Sequence, residues 1–165
     1  MIALGIAVLI AGCGGGEPQQ DESEDDDTAM ADTIEITMTD HAYEPSDITV
    51  PAGQEVTLQF TNEGSVEHYF VVGDSLTDDG EDVRENLFEG VEITKNKTGG
   101  EDEEGEEEDH HENEFELPPG GSGTMTFTLP AEKAGTYTVA CFETTDGEMH
   151  HEMGMEGTMT VTAEE

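Results

Sequence analysis

Positive charge is nearly missing from this chain. Four Lys and Arg stand against 42 Asp and Glu, a formal charge of −38 over 165 residues. Such a surface repels phosphate, which excludes nucleic acid and anionic lipid headgroups as partners. The acid excess is larger than one binding face needs. It reads as a whole-surface property, an adaptation to very high salt in which screening tames self-repulsion. Cysteine is scarce as well, with only Cys13 and Cys141. One follows an apolar leader and the other ends an expected strand, so they are not paired as a disulfide. Zinc-type cysteine pairs, a phosphate loop and a Ser/His/Asp set are all absent, so no enzyme activity is expected. No apolar run is long enough to cross a bilayer; residues 1–11 are apolar but too short.

What stands in that leader is still informative. Residues 1–12 read as the apolar part of an export signal, and the missing basic start places the true beginning upstream. Ile10-Ala11-Gly12-Cys13 resembles the lipobox of prokaryotic lipoproteins. The resemblance implies that Cys13 becomes the lipidated first residue of the mature chain, anchored on the extracytoplasmic face of the cell membrane. Residues 13–32 are Gly, Glu, Pro, Gln, Asp and Ser with almost nothing apolar. They read as a flexible acidic tether with a reach on the order of 25 Å.

A single folded domain is expected over 33–165. Ile34, Ile36 and Met38 alternate with polar residues, as do Val56, Leu58 and Phe60, at the period of half-buried strands. Further strands are expected over 47–50, 69–72, 123–129, 135–141 and 157–162, bounded by Gly or Pro, with Pro51 placed in a turn because it lacks a ladder donor. Seven short strands rich in Thr, Val and Ile, with no long amphipathic helix, predict an all-β, antiparallel sandwich. Residues 73–121 are the exception, an acidic insertion of about 50 residues, long for a loop within a compact domain. Its apolar anchors are residues 83–91 and 115–117; a short helix is expected over 79–88, and a mobile run over 101–116 interrupted by His110-His111. Asn96-Lys97-Thr98 fits the pattern of a glycosylation acceptor.

One stretch concentrates soft donors. Between Cys141 and Met155 lie a thiol, the imidazoles of His150 and His151, and the thioethers of Met149, Met153 and Met155. A thiolate, an imidazole and a thioether on one loop, joined by a second imidazole from elsewhere, make the His₂Cys set with a weak axial Met that holds copper for electron transfer. The candidate for the second imidazole is His68, just ahead of the apolar run 69–72. Singly, each residue has a plainer reading: a Cys at a strand end as a small buried hydrophobe, the Met residues as packing, adjacent His as solvated surface. The set as a whole favours copper.

Over 33–162, less the acidic insertion, the sequence resembles the cupredoxins, small blue copper proteins of the plastocyanin, azurin and halocyanin type. The matching pieces are Tyr43-Glu-Pro45, Ile48-Thr-Val50-Pro-Ala-Gly53, Asn62-Glu-Gly64 followed by His68, Gly135-Thr-Tyr137 leading to Cys141, and His150 to Met155 with Gly154 between. The resemblance implies a Greek-key β-sandwich and one type 1 copper held by His68, Cys141, His150 and Met155. It implies a monomeric electron carrier that meets redox partner proteins around an exposed edge of His150. Rival ligands are His151 for His150 and Met153 for Met155. Eight residues separate Cys141 from His150, longer than in plastocyanin, and Tyr69 stands where plastocyanin and azurin carry an Asn beside the sulfur. The alternative function is copper storage or transfer, with Met149, Met153, His151 and the His110-His111 loop as extra docking points.

Overall fold

A computed structural model describes residues 32–99 and 113–163 of the protein. The signal segment, Cys13, the tether up to residue 31 and the His110-His111 run lie outside the described residues. Thirteen strands are present among those described. They are β1 (Asp32–Thr39), β2 (Ala42–Glu44), β3 (Asp47–Pro51), β4 (Glu55–Asn62), β5 (His68–Leu76), β6 (Val83–Asn86), β7 (Ile93–Thr98), β8 (Phe115–Leu117), β9 (Ser122–Thr128), β10 (Gly135–Ala140), β11 (Thr144–Thr145), β12 (Glu148–Met149) and β13 (Glu156–Thr162). One 3₁₀ turn, Ala131–Lys133, is the sole helical element among them.

Eleven of these strands form two facing sheets, one in the order β2-β1-β4-β9-β7 and the other β3-β13-β10-β5-β6, with β8 also paired to β5; β11 and β12 pair only with each other. All seven expected strands are there. The sheets are mixed rather than purely antiparallel, however: β1 runs parallel to β4 and β3 parallel to β13. Alternation along a strand fixes which face is buried and leaves the direction of its neighbour open. Pro51 closes β3 instead of sitting beyond it. That strand lies at a sheet edge, where a missing N–H costs no ladder bond.

Between the sheets, Ile36, Met38, Val56, Leu58 and Phe60 meet Phe70, Val72, Val139, Met159 and Val161, all buried in one cluster. Burying side chains of this size is worth roughly 1.5–3 kcal/mol each. Phe60 stacks on Phe115 at 4.6 Å between centroids and meets Phe70 edge-on at 4.9 Å.

The described parts of the insertion, 73–99 and 113–121, are more ordered than their composition suggests. No helix forms over 79–88. Gly80 has φ +74° and closes a turn in which Thr77 N donates to Asp82 O, after which β6 pairs with the far half of β5. The edge of β5 opposite β10 would otherwise be open, and satisfying its backbone groups outweighs a short acidic helix. Strand β7 joins β9, and β8 lies against the start of β5, pairing Leu117 with His68. The expected anchors are in place, with Leu87, Phe88, Phe115 and Leu117 fully buried.

Candidate metal centre

Four of the expected site residues come from three places at one end of the sandwich. His68 is the first residue of β5, Cys141 directly follows β10, and His150 and Met155 lie on the loop between β12 and β13. Backbone bonds tie this loop to itself. Cys141 N donates to Met155 O (3.3 Å), Met155 N to His150 O (2.9 Å), His151 N to Cys141 O (3.0 Å) and His150 N to Glu143 O (2.9 Å). Gly154, at φ +115°, makes the bend ahead of Met155 that an L side chain resists.

The long spacing between Cys141 and His150 folds into a tight hairpin of β11 and β12. Asp146 (φ 55°) and Gly147 (φ 89°) form its two-residue tip, the backbone a type I′ turn requires. The hairpin places Thr145 over the outer edge of His150, where Thr145 Oγ1 lies 2.7 Å from Nε2. The His150 ring is only 1% exposed, so the exposed edge expected there for a partner is covered.

Three donor atoms converge in this buried pocket. His68 Nδ1 and His150 Nδ1 are 3.2 Å apart, and each lies 3.9 Å from Cys141 Sγ. One ligand atom from each of the three residues thus lies within 4.8 Å of the other two. Met155 is fully buried in the same apolar cluster as Cys141, whereas Met153 stays half-exposed. His151 turns away: its Nε2 lies 2.9 Å from Gly80 O, and its ring packs edge-on against Phe142.

Burial sets the protonation of the donors. It lowers the His68 pKa, with neighbouring His150 adding to the effect, and it lowers that of His150, so both imidazoles are neutral at pH 7. Burial pushes the Cys141 thiol up to about 11. Two backbone N–H groups oppose that rise, Tyr69 N at 3.4 Å from Sγ and Glu143 N. Tyr69 therefore reaches the sulfur through its main chain, although its side chain differs from the Asn of plastocyanin and azurin.

Sequence reasoning missed two polar neighbours of the imidazoles. One is Thr145, announced only by the Asp146-Gly147 turn signal. The other is Asp40, whose Oδ1 faces His68 Nε2 at 3.5 Å. Ser65 donates to Asp40 from its backbone N (2.6 Å) and its Oγ (2.8 Å), which holds that carboxyl below its ordinary pKa.

Two neutral imidazole nitrogens and a buried thiol, crowded together with a thioether beside them, suit a soft or borderline metal and match the donors of a type 1 copper site. A soft cation between the three atoms would engage all of them at once, so the pocket fits copper. The sequence profile of the cupredoxin-like domain matches residues 2–161. The chain belongs to the cupredoxin-like family. Among solved structures, it is similar to the dithionite-reduced auracyanin of the photosynthetic bacterium Roseiflexus castenholzii. The two are 29% identical over 80% of this chain and 98% of that one, with a TM-score of 0.50. Auracyanin A, a "blue" copper protein of Chloroflexus aurantiacus, is 25% identical over 79% and 98%, at 0.44. A laccase of Pediococcus acidilactici is 12% identical at 0.51; the match covers 94% of this chain but only 31% of that one, and the likeness is one of fold alone. No curated protein sequence matches this cupredoxin.

Proposed function

We propose that this cupredoxin is a blue copper electron carrier, with His68, Cys141 and His150 as the principal ligands and Met155 as the weak fourth. The observation that carries the reading is the convergence of His68 Nδ1, His150 Nδ1 and Cys141 Sγ in one buried pocket. Copper, when bound, supplies a centre that takes one electron from a reduced donor protein and gives it to an oxidised acceptor. The chain's part is to present the donors already placed. Cys141 gives up its proton on metal binding, and the Tyr69 and Glu143 amides then face a thiolate they stabilise. His68 is fixed by β5 and His150 by the bonded loop, so little has to reorganise between oxidation states.

The acid surface and the lipobox extend this reading to a carrier tethered outside the cell membrane of a salt-loving prokaryote. The partners are redox proteins with basic or cation-bridged faces. The mass of the protein extracted from membranes checks the tether, and an unmodified mature chain in the soluble fraction would rule it out. Copper storage or transfer is less favoured. It counted on His151 as an extra docking point, and that ring is engaged by Gly80 and Phe142.

Voltammetry of the copper-loaded protein in high salt tests the carrier. One reversible, one-electron wave that survives repeated cycling is expected. Loss of copper to a Cu(I) chelator on each reduction would favour transfer instead.

A further inference from the structure

The two ligand imidazoles are supported from behind in different ways. His150 Nε2 meets a neutral hydroxyl, that of Thr145. His68 Nε2 is fully buried and makes no hydrogen bond; the group that faces it is the Asp40 carboxylate at 3.5 Å. With His68 Nδ1 aimed at Cys141 and His150, the ring proton belongs on Nε2. A buried N–H that faces a carboxylate at 3.5 Å, without a closed hydrogen bond, is favoured by the negative charge in front of it.

The surrounding chain is built to hold that carboxylate there. Asp40 is pinned through both oxygens by Ser65, and Ser65 sits on a turn secured by buried Asn62. Asn62 Oδ1 accepts from Gly64 N (2.8 Å), while its Nδ2 donates to Val66 O (2.9 Å) and to Leu117 O (2.8 Å). Gly64 lies over the meeting point. A Cβ there would collide with His68 Nε2 and with Asp40 Oδ1. The Asn62-Glu-Gly64-Ser65 sequence thus has a physical reason in this chain: it brings a charged oxygen from the end of β1 to the back of the imidazole that opens β5.

We infer that Asp40 is a positioning residue for the metal centre: its carboxylate fixes the Nε2–H form of His68 and sets a fixed negative charge behind that ligand, biasing the centre towards the oxidised state. The inference rests on the copper reading for its redox half only. The tautomer half belongs to the apoprotein.

Two measurements separate these halves. Nitrogen-15 NMR of the metal-free protein should show His68 protonated at Nε2. Asp40→Asn keeps an acceptor oxygen and should retain that form, whereas Asp40→Ala should lose the preference. In copper-loaded protein at one fixed salt concentration, Asp40→Asn should raise the reduced-to-oxidised ratio at a given ambient potential by about tenfold, a positive shift of about 59 mV for one electron. Ser65→Ala, which keeps the charge but frees one carboxylate oxygen, should shift the potential the same way by less. A role confined to packing would lower stability and leave the Asp40→Asn potential where it was. An unchanged potential in Asp40→Asn would overturn the electrostatic claim. An Nδ1-protonated His68 in the unsubstituted apoprotein would overturn the positioning claim, even if the chain bound no copper at all. Should Asp40→Asn fail to fold, Ser65→Ala and the unsubstituted apoprotein decide the matter alone.

Discussion

Thr145 Oγ1 stands 2.7 Å from His150 Nε2, so the outward edge of this imidazole ends on a hydroxyl of its own ligand loop rather than in solvent. Replacing Thr145 by Val keeps the shape and removes the bond. Outer partners of metal-binding His residues typically carry 10- to 100-fold in affinity. Thr145→Val should accordingly weaken Cu(II) binding by about tenfold in competition with a chelator. An unchanged affinity would show that the hydroxyl does not orient the ring.

Copper affinity should depend on pH with a sign set by the donors. In the metal-free protein both imidazoles are already neutral at pH 7, while the buried Cys141 thiol holds its proton up to about 11. Binding then displaces one proton, and affinity should rise about tenfold per pH unit through the neutral and mildly alkaline range, about 1.4 kcal/mol each. Below the lowered imidazole values the dependence should steepen. The same thiol destabilises the apoprotein as pH rises from its ordinary 9.0 towards 11, because only the unfolded chain ionises freely there. Chelator competition and urea melts across pH read both effects.

The neighbouring histidines should separate cleanly. His150→Ala removes one converging donor and should abolish the blue absorption. His151→Ala breaks a bond to Gly80 O and a ring contact with Phe142, so it should cost about 1–2 kcal/mol in unfolding while leaving that absorption intact. The reverse pattern would exchange their roles.

Phe115→Ala tests the inserted segment. Phe115 is fully buried against Phe60 and sits on the strand that pairs with the start of β5. Truncation should cost about 3–5 kcal/mol in a urea melt. A loss below 1 kcal/mol would mean that β8 contributes little to the fold.

Alternation carried most of the sandwich into view. Ile34-Ile36-Met38 and Val56-Leu58-Phe60 report a buried face directly, and each forms the expected strand. What alternation does not encode is the neighbour, which is why the parallel pairings of β1 with β4 and of β3 with β13 were not legible. Inside the acidic insertion, short strands such as Val83–Asn86 and Ile93–Thr98 owe their form to the open edges of β5 and β9. Their own residues are too polar to announce it. The donor set was legible because thiol, imidazole and thioether are rare together. Asp40 and Thr145 were not, because in a chain with 42 acidic residues and many Thr nothing local marks the one that touches an imidazole.

The most direct test of the metal centre is a Cu(II) titration of the apoprotein in high salt, followed by visible absorption and electron paramagnetic resonance, beside Cys141→Ser. An intense thiolate-to-copper band saturating at one copper per chain, bleached reversibly by reductant and missing from Cys141→Ser, is the predicted result. A colourless protein that binds copper equally well without the thiol would contradict it.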